Sequence, residues 1–191
     1  MPELAATPGQ TIGPFFHYAL PYPGDRELVP PGSAGSMRLH GHVYDGDGHA
    51  VADALLEIRQ ADPSGIVPAT AGSLRRDGAS FTGWGRTITD PAGHYWFSSV
   101  ETGPARLGGA PFFAVVVFAR GLLNRLFTRI YLPAGHAVLD ADPLLSSLDA
   151  GERGRMVAVR EADGSLRFDI HLQGTLETPF LTFPGQTWSS S

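Results

Sequence analysis

Residues 110–132 read APFFAVVVFARGLLNRLFTRIYL, and this stretch decides the fold. Its first run, Phe112 to Phe118, is continuously apolar and rich in valine and phenylalanine, which favour the pleated surface of a sheet. Because the run is apolar at every position, it predicts a strand buried on both faces. The alternation from Arg125 to Leu132 predicts a neighbouring strand, with Leu126, Thr128 and Ile130 on one face.

Arg120 and Gly121 separate the two runs and put a guanidinium at the rim between two strands. A guanidinium has five donors, which a carboxylate, a backbone carbonyl or a ligand must satisfy. The glycine that follows permits close approach of backbone or ligand. A structural ion pair and an anionic ligand both remain open for Arg120.

The composition indicates one large domain of many short strands. The chain has 191 residues, 42% of them hydrophobic, with 24 glycines and 16 prolines spread between apolar runs. Such punctuation is typical of turns between strands. We predict an all-β fold, an antiparallel β-sandwich with a long N-terminal arm, long loops and one short helix at residues 142–148. The expected divisions are an arm and Pro/Gly-rich loop (1–36), the sandwich (37–183) and a flexible tail (184–191).

Most of the predicted strands are bounded by Asp-Gly or Asp-Pro turn signals. The turn at Asp45–Gly48 predicts that the strand ending at Tyr44 pairs with a returning strand at Ala54–Gln60. Asp163-Gly164 predicts a second hairpin. The remaining predicted strands are Arg86–Thr89, His94–Ser98, the two flanking Asp163 (Arg155–Arg160 and Leu166–Leu172) and an edge strand at Phe180–Phe183.

Charge and composition exclude several classes of function. The net charge is −5 with no block of like charges, which argues against nucleic-acid and membrane-surface binding. The chain has no cysteine, so it can form neither disulfides nor thiolate metal sites. The N-terminus lacks a signal-peptide pattern, and a cytoplasmic location is expected.

His40 and His42 are the one close histidine pair. On a strand their side chains point to the same face, a spacing that can chelate a metal. No third ligand is identifiable nearby, so packed or surface histidines are the simpler interpretation.

Seven segments in order carry a resemblance to a known family. They are QTIGPF (10–15), GHVYDGDG (41–48), EIRQAD (57–62), GRT (85–87), FARG (118–121), TRIYL (128–132) and FDIHLQG (168–174). Together they span about residues 8–183, and the chain resembles the intradiol ring-cleaving dioxygenases.

The resemblance implies a β-sandwich chain that works within a hetero-oligomer. In this family a mononuclear ferric iron, Fe(3+), is held by two tyrosines and two histidines, and both atoms of O2 enter an aromatic ring. It further implies the substrate protocatechuate, the product 3-carboxy-cis,cis-muconate, and an iron-bearing beta chain as partner in a higher (alpha-beta)n oligomer.

All four implied iron ligands are missing from this sequence. The corresponding positions hold Ile66 or Val67, Ala105, Phe112 and Ala114. Phenyl and methyl groups have no lone pairs for ferric iron. Arg129 also replaces a glutamine beside the metal, and Gly109 replaces an arginine. The resemblance therefore implies no metal site and no catalytic residue in this chain, with apolar side chains filling the former cavity.

The resemblance assigns this chain a substrate-binding role at the partner's iron. Carried over by motif, the residues are Thr11, Gly13, Pro14, Phe15 and Arg120. Arg120 would attract or orient the substrate carboxylate, and Gly13-Pro14 would shape the pocket wall.

Two other functions remain open. One is a non-enzymatic, prealbumin-like β-sandwich binding module, which the segment from Gly41 to Ile58 would also suit. The other is a self-sufficient metalloenzyme that uses His40, His42 and a distant third ligand.

Overall fold

The structure is a computed structural model that describes residues 11, 13, 16–69, 77 and 80–183. Its strands are β1 (Ser36–Tyr44), β2 (Leu55–Arg59), β3 (Trp84–Ile88), β4 (His94–Val100), β5 (Phe112–Phe118), β6 (Leu126–Tyr131), β7 (Val159–Arg160), β8 (Leu166–Arg167) and β9 (Ile170–His171). The helices are α1 (Phe16–Ala19), α2 (His136–Ala141), α3 (Ala150–Gly154) and a 3-10 turn at Leu145–Ser147.

Two sheets face one another, which confirms the all-β sandwich. One has the order β3-β2-β5-β6 and is antiparallel throughout. The other has the order β4-β1-β8-β7, with β9 also beside β1. This second sheet is mixed, because β1 pairs antiparallel with β4 but parallel with β8 and β9. The core between the sheets is built from their inward side chains.

Strand β5 spans the predicted residues and pairs on both sides, with β2 and with β6. Phe113, Val115 and Val117 are buried in the core. The alternate residues from Phe112 to Phe118 are only half-buried, so the prediction of burial on both faces is wrong for this chain alone. The outward face lies on the outside of the sandwich. At its Phe112 end it packs against a second apolar cluster, which contains Tyr131, Leu139 and Met156.

The predicted pairing of β1 with the strand at residues 54–60 is also wrong. The Asp45 turn forms, and its carboxylate accepts hydrogen bonds from the backbone N–H groups of Asp47 and His49. After a single bridge between Tyr44 and Ala50, however, the chain crosses to the other sheet and becomes β2. A two-stranded hairpin and a crossing between layers begin with the same turn signal, so the local pattern cannot tell them apart.

The predicted hairpin around Asp163-Gly164 is confirmed, since β7 and β8 pair antiparallel. The edge strand expected at residues 180–183 is not formed. That segment follows β6 instead, with the Leu181 N–H bonded to the Phe127 carbonyl at 2.7 Å.

Where one helix is predicted at 142–148, the described chain contains short helices on either side of a 3-10 turn. Just before this turn, the Asp142 Oδ1 accepts hydrogen bonds from the N–H groups of Leu144 and Leu145 at 3.0 and 3.3 Å. Helix α2 begins after Gly135, which provides no side-chain cap, so the sequence carries no start signal for it.

Asp142 also joins the helical segment to the sheet. Its carboxylate is fully buried and accepts hydrogen bonds from the Tyr131 hydroxyl at 3.0 Å and the Ala110 N–H at 3.2 Å. Burial alone would raise the pKa of Asp142, but these donors together more than offset it and hold the pKa below its ordinary value. Burial raises the pKa of Tyr131 to about 12, so its hydroxyl stays protonated and donates.

Replacing Asp142 by Asn is expected to destabilise the fold by about 2 kcal/mol at neutral pH, because an amide cannot accept from all these donors. Since the pKa of Asp142 is lower in the folded chain, its contribution is present above the unfolded value of 3.8 and is lost as the pH falls through the folded value. Urea unfolding of wild type and variant over a pH series measures this, and the difference should shrink in acid.

The matched control is Asp140→Asn. Asp140 lies two residues before Asp142, and its exposed carboxylate pairs with Arg153. The effect of this substitution should be small at every pH. A wild-type advantage over Asp142→Asn that stays constant from neutral pH to about pH 3 would contradict the assignment.

Candidate functional site

The turn after β5 carries Arg120 and meets the N-terminal arm. The Gly121 N–H donates to the Thr11 Oγ1 at 2.8 Å, so two of the predicted site segments lie in contact. The space where a Cβ of Gly13 would stand is open. Pro14 and Phe15 lie outside the described residues, and their role stays a prediction.

The turn itself requires Gly121. Its φ is +87°, in the left-handed region that favours glycine, and the Leu122 N–H closes the turn on the Ala119 carbonyl at 3.2 Å. This geometry ends β5 abruptly and directs the Arg120 side chain outward, where 57% of it is exposed.

Asp53 binds the Arg120 guanidinium side-on. Arg120 Nε lies 3.3 Å from one Asp53 carboxylate oxygen and Nη2 lies 2.9 Å from the other. The Asp53 side chain is only 13% exposed, and its φ is +60°, which few non-glycine residues adopt. Since Arg120 itself is largely exposed, the pair stabilises the fold by about 0–1 kcal/mol.

Buried Thr89 fixes the backbone on either side of Asp53. Its hydroxyl accepts from the Ala54 N–H and donates to the Val51 carbonyl, both at 2.8 Å. Its backbone carbonyl also accepts from the Asp53 N–H at 3.3 Å. Sequence reasoning missed Asp53, and the one local signal is that Asp tolerates the left-handed conformation better than most residues.

The outer face of β5 corresponds to the position that the resemblance assigns to the metal. In register, Ala114 lies between Arg59 of β2 and Arg129 of β6. The Arg129 guanidinium lies 4.1 Å from the centre of the Phe112 ring, and Nη1 donates to the Tyr131 hydroxyl at 3.0 Å. A phenyl ring, a methyl group and a guanidinium do not fit a ferric ion, because none of them offers a lone pair.

The expectation that apolar side chains fill this space is wrong. A cavity of about 500 Å³ remains, with walls that include Phe112, Phe127 and Trp84. It persists because Ala114 has only a methyl group and forms a shallow floor between two long arginine side chains.

The two loop positions that correspond to iron ligands also hold no donor. Ile66 and Val67 are well exposed on the surface, and Ala105 is exposed as well. No tyrosine occurs between residues 45 and 94 or between 96 and 130.

The structure adds a third histidine to His40 and His42. Because β1 pairs with β4, the ring of His94 lies 5.1 Å from that of His42 and 5.8 Å from that of His40, measured between ring centres. Burial, with the neighbouring charge of His42 next, lowers the pKa of His94. Sequence reasoning could not find His94, because the pairing partner of β1 was unknown.

These histidines face carboxylates. His40 Nε2 lies 3.0 Å from a Glu161 oxygen, and His42 Nδ1 lies 3.8 Å from Asp169. Within the described part of the chain, no group of three His, Asp or Glu side chains has a geometry that could hold a metal ion. Nor is any helix in the described ranges long and apolar enough to cross a membrane.

Solved structures with a similar fold define a class of protein. The dioxygenase domain of a dioxygenase carbohydrate-binding fusion protein from Streptomyces sp. SirexAA-E has a TM-score of 0.55 at 22% identity, covering 90% of this chain and 100% of that one. An intradiol ring-cleavage dioxygenase from Tetranychus urticae has a TM-score of 0.58 at 14% identity, covering 81% and 88%. The fold is that of the intradiol dioxygenases.

Two relatives with higher sequence identity identify the family within this class. The protocatechuate 3,4-dioxygenase alpha chain of Burkholderia cepacia is 36% identical over 94% of this chain and 98% of its own length. The alpha chain of Pseudomonas putida is 35% identical over the same shares. The chain belongs to the family of protocatechuate 3,4-dioxygenase alpha chains. No family model matches it.

The absence of iron-binding side chains on β5 can be tested by measuring the iron content of the chain. The chain produced alone is expected to bind ferric iron far below one ion per chain, because the β5 face holds no ligand. Elemental analysis after desalting measures the iron content, and visible absorption reports tyrosinate-to-iron charge transfer. Stoichiometric iron with such absorption would contradict the assignment.

Proposed function

We propose that this chain is the iron-free alpha subunit of a protocatechuate 3,4-dioxygenase in the cytoplasm. It would assemble with an iron-bearing beta chain into a larger (alpha-beta)n oligomer. The enzyme would insert both atoms of O2 into protocatechuate and form 3-carboxy-cis,cis-muconate. The observation that carries this proposal is the 36% identity to an alpha chain over almost the full length of both proteins.

The proposed division of labour follows from what the site residues can do. The outward residues of β5 carry no group that can bind a metal, so iron and the activation of the ring are assigned to the partner. The β5 turn offers an exposed cation beside the arm, which suits an anionic substrate. Binding and orientation would therefore come from this chain.

Arg120 is the proposed contact for the substrate carboxylate. Its pair with Asp53 occupies Nε and Nη2, which leaves the donors of Nη1 and one of Nη2 available. A planar fork of this kind recognises a carboxylate through two parallel hydrogen bonds. Thr11, Gly13, Pro14 and Phe15 would form the adjoining wall of the entrance.

The outer face of the β5 sheet supports a partner chain. Phe112, Val116, Phe118 and Phe127 are only half-buried there, although Phe112 packs against the helical segment and Phe127 contacts Phe183. Contiguous apolar surface of this kind marks interaction sites in soluble proteins. A beta chain is the occupant that the proposal requires.

The requirement for a partner gives the first test. Co-expressed with an iron-bearing beta chain of the same enzyme class, this chain should co-purify as a stable complex that cleaves protocatechuate. This chain alone should show no activity. A chain that neither co-purifies nor changes the partner's activity would favour the non-enzymatic module and would contradict the proposal.

The second test concerns Arg120. In the assembled enzyme Arg120→Ala should raise KM for protocatechuate about tenfold and change KM for catechol less than twofold, since catechol has no carboxylate. Steady-state oxygen uptake with both substrates measures the ratio.

Arg125→Ala is the matched control for charge. Arg125 is also exposed, lies before β6 and stacks on Phe127 at 5.1 Å from the ring centre. Arg125→Ala should not change KM for protocatechuate by a different factor than KM for catechol. An equal effect of Arg120→Ala on both substrates would remove the carboxylate role.

A further inference from the structure

Asp53 stands out among the acidic residues because its backbone conformation is unusual and because it pairs with Arg120. It is the one non-glycine residue with positive φ among the described positions. An aspartate that keeps such a conformation needs surrounding structure to hold it there. Here the Thr89 hydrogen bonds hold the turn from Val51 to Ala54 on both sides of it.

The contact between Asp53 and Arg120 has a direction. The carboxylate binds the edge of the guanidinium that carries Nε and Nη2. The other edge, formed by Nη1 and the second N–H of Nη2, has no partner among the described residues. Because a guanidinium is planar and rigid, fixing one edge also fixes the plane and the direction of the other.

The backbone beneath Arg120 is held independently. Thr11 accepts from the Gly121 N–H, and the turn closes between Ala119 and Leu122. The arm therefore fixes the main chain of the turn, while Asp53 fixes the side chain that leaves it. An exposed arginine without the second contact would sample many rotamers and would lose that freedom on binding.

We propose that Asp53 is a positioning residue that holds the Arg120 guanidinium with its free edge directed at the substrate carboxylate. This inference rests on the proposed function. Asp53 contacts no substrate itself. It acts by removing rotational freedom from Arg120 before the substrate arrives, so it affects binding of carboxylated substrates and leaves the chemical step unchanged.

The variants follow from the backbone geometry. Asp53→Asn keeps the size of the side chain and tolerates positive φ, while it removes the charge. Asp53→Gly tolerates the same φ and removes the side chain altogether. If the carboxylate is what matters, the two variants should behave alike. Glu101→Gln is the control, since it breaks another arginine pair, with Arg160 at 2.6 Å, elsewhere on the surface.

The kinetic test uses the assembled iron-containing enzyme. Asp53→Asn and Asp53→Gly should each raise KM for protocatechuate about threefold to fivefold. The kcat for either substrate and KM for catechol should stay unchanged. Added to Arg120→Ala, Asp53→Asn should have no further effect, because its target is gone. Glu101→Gln should change neither KM.

A second measurement follows Arg120 directly in the full chain. The Nε–H signal of Arg120, assigned by its loss in Arg120→Ala, should be protected from solvent exchange in the wild type. It should exchange fastest in Asp53→Gly, where the acceptor is gone. It should also exchange faster than wild type in Asp53→Asn, where one neutral amide oxygen replaces the two oxygens of a charged carboxylate.

The outcomes separate two failures. If Arg120→Ala is selective for protocatechuate but the Asp53 variants are not, the positioning role is wrong and the proposed function stands. Equal effects of the Asp53 variants on both substrates would show a merely structural role and would also overturn the inference. If Arg120→Ala is itself unselective, the carboxylate role of Arg120 fails and this inference fails with it.

Discussion

The double pairing of β5 is the constraint on which the rest of the structure depends. Hydrogen bonds to β2 on one side and β6 on the other fix its register along its whole length. Since side chains alternate between faces, this register commits Phe113, Val115 and Val117 to the core and the residues between them to the outer face. A slip by one residue would exchange the two sets, and it would also move Arg120 away from Asp53.

Because of this register, the middle of β5 and its C-terminal end have different roles. Its middle supplies hydrophobic burial that is independent of any metal, and its end supplies a charged turn. The turn contacts two segments distant in sequence, the arm through Thr11 and the crossing turn through Asp53. The contacts that form this edge do not involve the outward residues of β5, so the edge can form whether or not a metal is bound to that face.

The sequence predicted neighbours along the chain, such as β5 with β6 and β7 with β8, but not the pairings between distant segments. β5 was predicted residue for residue, because a continuous run of valine and phenylalanine between Pro111 and Gly121 permits little else. The crossing of the chain to β2, the approach of His94 to His42 and the contact of Asp53 with Arg120 were not predicted. Each depends on which strands become neighbours, and that is decided by packing of distant segments. Helix α2 was missed for a local reason, the absence of a capping side chain at Gly135.

Besides the missing donors, a second feature makes the outer face of β5 unsuited to a ferric ion. Arg129 lies directly opposite Ala114 in the pairing of β5 with β6, where facing side chains are about 5 Å apart at Cβ. Its charge is anchored, because it donates to Tyr131, which in turn donates to the buried carboxylate of Asp142. Asp142 also accepts from the N–H groups of Leu144 and Leu145, so a chain of hydrogen bonds links the arginine to the helical segment. Placing histidines at positions 112 and 114 would therefore return two donors to a face that still holds a fixed positive charge. A trivalent cation beside that charge meets Coulomb repulsion in a partly desolvated site. The position of Arg129, and not only the missing ligands, makes the β5 face of this chain unsuited to iron.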